Sequence, residues 1–250
     1  MRQIKEITVI GLGAFGSFVK ERIEAETPWI TVFGWDIRDG TKADLAKALQ
    51  RDVVIFAVRP KVYEQVLREM VPQTRPDTII VDVCGAKVRT TAVLREICDG
   101  RPYIACHPMF GRQSWLDQGR SLKGLQLVVC EHKKITDVEY RKLRNFLEKK
   151  VTLSVVHMTP EEHDQAAAVE QLLPQRIGSA VKRAGFALNS RNIHTLSAKY
   201  FYRAMEIVKH DEELFKEVSA INPYWPKVWA RYQLAEAQLN LDLLNGNAEK

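Results

Sequence analysis

Over its first 150 residues the chain alternates short β-branched runs with helical patterns, and this alternation limits the possible folds more than any other feature. The runs ITVIG (7–11), ITVFGW (30–35), DVVIFAV (52–58), TIIVDV (78–83), YIAC (103–106), LQLVVC (125–130) and TLSVVH (152–157) read as strands. Between them, residues 14–25, 43–50, 61–70, 89–98 and 136–149 carry apolar side chains at three-and-four spacing, as helices with one buried face do. Strands separated by helical crossovers pair in parallel. Their near-continuous apolar character requires a sheet covered on both faces.

After His157 the texture changes. Thr159-Pro160-Glu161-Glu162 reads as an N-cap, a first-turn proline and two acids at the positive end of a helix, and the pattern stays helical as far as Asn245. The expected division is therefore 1–157 for an α/β domain and 158–250 for an all-α domain. The second part holds many large apolar side chains for its size, among them Phe201, Leu214, Phe215, Trp225, Trp229, Leu239 and Leu243. Packing against a second copy, a homodimer formed through the C-terminal helices, is the expectation.

The first strand runs directly into IGLGAFGSF, where Gly11, Gly13 and Gly16 form G-x-G-x-x-G at the opening of the first helix. Each glycine has its own physical role, with a tight turn at Gly11, backbone approach to a pyrophosphate at Gly13, and close helix and strand packing at Gly16. The helix N-terminus adds N–H donors and a positive dipole end, so Gly11, Leu12, Gly13, Ala14, Phe15 and Gly16 are the candidate phosphate cradle. The second strand ends in Asp36, twenty positions after Gly16, where a carboxylate accepts ribose hydroxyls. These features assign a Rossmann dinucleotide-binding domain and favour NAD. Arg38 keeps NADP as the alternative, since a guanidinium can meet a 2′-phosphate. Ala57, Val58 and Arg59 end the third strand, where a cofactor would lie, although Arg59 reads equally as a solvated loop charge.

The net charge is +6, but Lys and Arg are scattered among acids without a basic run or interleaved aromatics, so steering of small anions is expected and nucleic acid is not. No apolar stretch approaches the roughly 18 residues of a membrane helix, and no signal core is visible at the start. Cys84, Cys98, Cys106 and Cys130 lie far apart with no C-x-x-C pair. Reduced thiols, no metal centre and a cytoplasmic location follow as expectations.

YIACHPMFG places His107 before Pro108. The proline forces an extended residue and ends the ladder, so His107 should stand at the carboxyl end of a strand, the edge on which α/β sheets bind ligands. Taken alone it reads more readily as a histidine that caps a loop or sits half buried with a backbone partner.

In this order, VIGLGAFG, DVVIFAVRP, VDVCGAKV, ACHPMFG and EEHDQAAAVEQLLPQRIG resemble the prephenate and arogenate dehydrogenases of tyrosine biosynthesis, with HPMFG and EEHD the most specific blocks and the plant-type arogenate pattern the nearer. The resemblance spans residues 7 to about 180. It implies a cyclohexadienol substrate that loses hydride to a nicotinamide and carbon dioxide from the ring, with His107 accepting the hydroxyl proton. It also implies that Asp164 guards the mouth of the active site or ties neighbouring segments, an exposed first-turn acid being the alternative. His163 reads as structural. Lys87 matches a family lysine that would neutralise substrate charge; a solvated helix-start lysine is the alternative.

Departures from the family pattern bear on substrate binding. Gly85 stands where the family often has serine. The Ser-His-Leu-Pro-His block of prephenate enzymes becomes Gln171, Leu172, Leu173, Pro174 and Gln175. Glutamines still donate to carboxylates, without charge. The substrate-gripping arginine of the prephenate branch falls at Glu206, which leaves Arg203, three residues earlier, and Arg176 as substitutes. Hydroxy-acid dehydrogenases and imine reductases remain as other readings, disfavoured because no lysine follows the boundary before Lys182. A dinucleotide-binding regulator without catalysis is the third.

Overall fold

A computed structural model describes residues 3–186, 195–207 and 212–248, with the side chains of 206, 207 and 246–248 outside the description. The chain divides into two compact units, residues 1–163 and 164–250.

The first unit is built on a seven-stranded sheet of order β2-β1-β3-β4-β5-β6-β7. Its strands are β1 (Glu6–Ile10), β2 (Thr31–Trp35), β3 (Val53–Phe56), β4 (Ile79–Asp82), β5 (Tyr103–Pro108), β6 (Gln126–Lys133) and β7 (Ser154–His157). Alternate strand residues supply two separate cores, as the twofold period of a strand dictates. On one face Ile10, Val54, Phe56, Ile80 and Tyr103 pack with Leu45, Leu49, Tyr63, Leu67 and Leu94. The latter come from α2 (Lys42–Ala48) and its following residue, α3 (Pro60–Met70) and α4 (Val88–Ile97). On the other face Ile7, Val9, Val53 and Ile55 meet Val19 and Ile23, while Ile104, Cys106, Val129 and Val155 meet Tyr140 and Leu147. These partners come from α1 (Ala14–Glu26) and α6 (Asp137–Lys149). Capping boxes at Thr41/Asp44 and Thr136/Glu139 start α2 and α6.

The parallel pairing expected throughout fails at one place. β6 runs antiparallel to β5, and β7 then pairs parallel with β6. A parallel return needs a crossover long enough to traverse the sheet. The β5–β6 connection contains only α5 (Arg112–Asp117), six residues, so the chain turns back instead.

This reversal shapes the strand that carries His107. β4 pairing ends at Asp82↔Ala105, while β6 continues beside β5 through His107↔Val128 and Pro108↔Leu127. Contrary to expectation, Pro108 does not end the ladder: it still pairs with Leu127 of β6, and only the pairing with β4 has ended before it. A register shift lies between Ala105 and Cys106. Such bulges bend a strand and re-aim the next side chain.

The division between units falls within α7 (Pro160–Ala167). Thr159 and Glu162 exchange side-chain and backbone hydrogen bonds at its start. A π-helical segment (Ala168–Leu172) then precedes α8 (Leu173–Arg183), α9 (Leu196–Ile207), α10 (Glu212–Ile221) and α11 (Trp225–Ala248). In the second unit Phe215, Trp225, Trp229 and Tyr232 form a ladder of rings with successive centroids 5.9, 5.7 and 5.3 Å apart. Among the described residues no helix is long and apolar enough to cross a membrane.

Candidate active site

Backbone geometry around the glycine loop follows from the missing side chains. Gly11 has φ +91°, and a Cβ there would stand 2.7 Å from the Ala57 carbonyl oxygen. At Gly16 a Cβ would stand 1.8 Å from the Gly11 carbonyl oxygen, so only glycine lets α1 rest on the loop that precedes it. Gly13 is different: a Cβ would meet nothing within 4 Å. It is the N-cap of α1, with φ −67° and no side-chain capping bond. The loop is therefore tight underneath and open at Gly13, with first-turn N–H groups lacking a side-chain cap. This fits a phosphate-bearing ligand.

These contacts separate two substitutions. Gly16→Ala must push the loop off the helix and should lower stability by about 1–3 kcal/mol, read from urea unfolding. Gly13→Ala should stay within about 1 kcal/mol of the parent, because its backbone angles suit any residue. Its effect should appear in dinucleotide affinity. Equal stability losses for both would contradict this division of labour.

Asp36 sits just beyond β2, with its backbone carbonyl accepting from Asp39 and Gly40. Its Oδ2 accepts the Leu12 N–H at 2.7 Å, tying the acid to the glycine loop. The Arg38 Nε donates to Oδ1 at 2.8 Å, and this guanidinium is the chief reason the Asp36 carboxyl is held down at about 2. Ala57 donates its N–H to the Ile10 carbonyl and walls the loop, Val58 lies beside Gly11, and half-buried Arg59 is the N-cap of α3.

Under the sheet edge lies a buried ion pair. The side chain of Lys87 is fully buried, so the solvated helix-start reading is overturned. Its Nζ donates to Asp82 Oδ2 at 2.5 Å and to the Cys106 carbonyl at 2.7 Å. Asp82 also accepts from the Cys84 N–H and the Thr90 hydroxyl. Burial disfavours the lysine charge, but Asp82 more than offsets it and the pKa is raised. Lys87 therefore clasps the turn after β4 to the residue immediately before His107. Half-buried Gly85 lies in that same turn. Burial pushes the Cys84 thiol up to about 11 and the Cys106 thiol to about 12, so both stay protonated.

His107 is 7% exposed, and its Nδ1 is 2.9 Å from Nε2 of His163, a residue 56 positions away. Burial first, then His163 and Lys87, push its pKa well below 6.5. The imidazole is neutral at neutral pH. His163, assigned a structural place in the sequence, is thus the direct partner of the candidate base. No local signal could have revealed this, because the pairing depends on where the first turn of α7 packs.

The remaining candidates belong to the second unit. Asp164 is fully buried rather than an exposed first-turn acid, and its carbonyl accepts from Asn222 Nδ2 at 2.9 Å. Gln171 lies in the π-helical segment with Oε1 buried and unpartnered among the described residues. Gln175 is half-buried on α8. The Arg176 guanidinium stacks 4.8 Å above the Trp229 ring, and Arg203 is exposed on α9. The Glu206 side chain lies outside the described residues. Among the described residues no group of three His, Cys, Asp or Glu is placed to hold a metal.

Residues 33–156 match the family model described as "Prephenate dehydrogenase, nucleotide-binding domain". The chain is 26% identical over 194 residues to the "Probable arogenate/prephenate dehydrogenase" of Methanocaldococcus jannaschii, an alignment covering 73% of this chain and 42% of that protein. It is 27% identical over 128 residues to the cyclohexadienyl dehydrogenase of Zymomonas mobilis, covering 46% of this chain and 44% of that one. The chain thus spans a little over two fifths of the length of these curated relatives. The solved structure of Aquifex aeolicus prephenate dehydrogenase in complex with hydroxyphenyl propionate and NAD+ shares the fold with a TM-score of 0.73 at 19% identity, over 100% of this chain and 93% of that one.

Proposed function

We propose that this chain, which belongs to the prephenate and arogenate dehydrogenase family, oxidises and decarboxylates a cyclohexadienol, arogenate or prephenate, with NAD as oxidant and His107 as the proton acceptor. The carrying observation is the neutral, buried imidazole at the end of β5, held by a second imidazole at 2.9 Å. A general base must be within reach of the proton and unprotonated at the working pH.

The pair of rings sets which nitrogen does the work. When His107 Nδ1–H donates to His163 Nε2, the lone pair of His107 Nε2 is left for the substrate hydroxyl. As that hydroxyl gives up its proton, the carbinol carbon becomes a carbonyl, and the dinucleotide, when bound, supplies the hydride acceptor. Loss of carbon dioxide from the para carbon then aromatises the ring. Gly11 to Gly16 and Asp36 hold the dinucleotide, and Ala57 and Val58 line the sheet edge beside it. Gln171, Gln175, Arg176 and Arg203 are assigned to the substrate's carboxylates and side chain. Loss of the two histidines to Gln171 and Gln175 favours arogenate, whose side chain carries an ammonium that a cationic pocket would repel. Exposed leucines on α11, Leu234, Leu239, Leu241, Leu243 and Leu244, suit pairing with a second copy.

Turnover is measured by the ultraviolet absorbance of reduced nicotinamide, with NAD or NADP and either dienol. Activity with at least one pair is expected, and none with any of the four overturns the reading. The pH profile tests the base. Because the folded pKa of His107 lies below the unfolded 6.5, the unfolded chain takes up the proton first, and its contribution to stability, complete above 6.5, is lost as pH falls below that value. The acid limb of kcat/KM should likewise lie below 6.5. A limb at or above that value would remove His107 from the role.

A further inference from the structure

The carboxylate of Asp36 is saturated. Four donors meet its two oxygens: the Arg38 N–H at 3.1 Å and Nε at 2.8 Å on Oδ1, and the Leu12 N–H at 2.7 Å and Arg38 Nη2 at 3.2 Å on Oδ2. A carboxylate offers about four acceptor positions, so no place remains for a ribose diol while Arg38 is docked. Arg38 Nη2 also donates to the Leu12 carbonyl at 3.1 Å, so the guanidinium lies directly across the space between the acid and the glycine loop. Yet its side chain is 64% exposed, against 11% for Asp36. An ion pair that open to water is worth little net and exchanges readily for another partner.

We propose that Arg38 is the group that sets dinucleotide choice, acting as a gate on Asp36 that makes the chain accept the 2′-phosphorylated dinucleotide alongside the unphosphorylated one. This rests on the reading of the glycine loop and Asp36 as a dinucleotide site. To take NAD, Arg38 leaves Asp36, and the two ribose hydroxyls replace the guanidinium on its oxygens. To take NADP, the guanidinium turns from the carboxylate to the phosphate, where its fork matches the oxygens in pairs. The charges around it explain why neither form is excluded. Asp36 and Asp39 oppose a phosphate, while Arg38 answers it.

Calorimetric titration of the whole chain with NAD and with NADP, without substrate, tests this. The parent should bind both with affinities within about tenfold of each other. Arg38→Ala should weaken NADP by about tenfold or more, the loss expected for hydrogen bonds to a charged group, while NAD binds as tightly or tighter because Asp36 is freed. Arg38→Lys, which keeps the charge without the fork, should fall between. The NADP affinity of the parent should also decline more steeply with added salt than the NAD affinity. Thermal unfolding of the variants separates a binding effect from a folding one, and the exposure of Arg38 leads us to expect unchanged midpoints. An equal loss for both dinucleotides in Arg38→Ala, or an unchanged NADP affinity, overturns the gate. If the parent binds NAD but not NADP, the gate fails and the dinucleotide site stands. If it binds neither, both fail.

Discussion

Replacing His107 by Asn lowers turnover by about two to four orders of magnitude and leaves dinucleotide affinity essentially unchanged. The size follows from the role: general-base assistance is worth that much, and an amide cannot take a proton at any working pH. Affinity is spared because the glycine loop and Asp36 are built from β1, β2 and α1, whereas His107 stands on β5, with β3 and β4 lying between β1 and β5 in the sheet. Asn also retains one donor toward His163, so the buried Nε2 of that ring keeps a partner. Single-turnover absorbance with saturating dinucleotide, beside calorimetric titration of the same variant, measures the two quantities separately. A variant retaining a tenth or more of parental turnover would remove His107 as the base.

Lys87→Met costs about 3–5 kcal/mol of stability, the loss expected when one member of a buried ion pair is removed and the other is left without its counter-charge. Asp82 keeps its bonds from Cys84 and Thr90, but these two neutral donors do not replace an ammonium at 2.5 Å. Against a domain stability of about 5–15 kcal/mol, such a loss shifts the urea midpoint strongly. Adding Asp82→Asn should restore a substantial part of it, because the uncompensated charge disappears with its partner. A second consequence reaches the active site. Lys87 also donates to the Cys106 carbonyl and is one of the three causes, after burial and His163, that lower the His107 pKa. In the folded fraction of Lys87→Met, the acid limb of kcat/KM should therefore move up in pH. Full parental stability for Lys87→Met would contradict the buried pair, and an unmoved limb in the folded variant would confine Lys87 to stability.

Much of the first unit is legible without coordinates because the signals are local. A β-branched run followed by three-and-four spacing is a strand and then a helix whatever lies elsewhere, and all seven strands fall within a few residues of their apolar runs. The glycine motif is also local in its spacing: Gly16 is required by the Gly11 carbonyl five residues earlier, whereas Gly11 is crowded by Ala57 just past β3 and Gly13 meets nothing. Pro108 pointed to a strand end near His107, although the ladder runs on through Pro108 itself.

What could not be read from the sequence involves residues that meet only after the chain has folded back. The antiparallel direction of β6 depended on the reach of α5, whose six residues gave no periodic signal. Lys87 read equally as a family lysine facing substrate charge and as a solvated lysine at a helix start, and only the approach of Asp82 and the Cys106 carbonyl made burial of its charge tolerable. Arg38 and Asp36 were both named as cofactor contacts, but that one would occupy the other's acceptors is a fact of side-chain geometry. His163 shows the limit most plainly. The blocks HPMFG and EEHD were each visible, yet nothing in either says that their imidazoles touch. By itself the sequence determined the elements and the glycine turn, since these rest on short-range sterics and periodicity, while the candidate base was named through the family resemblance. The tertiary structure alone decided the partners of that base and its proton state, because desolvation and pairing are set by which distant groups exclude water from it.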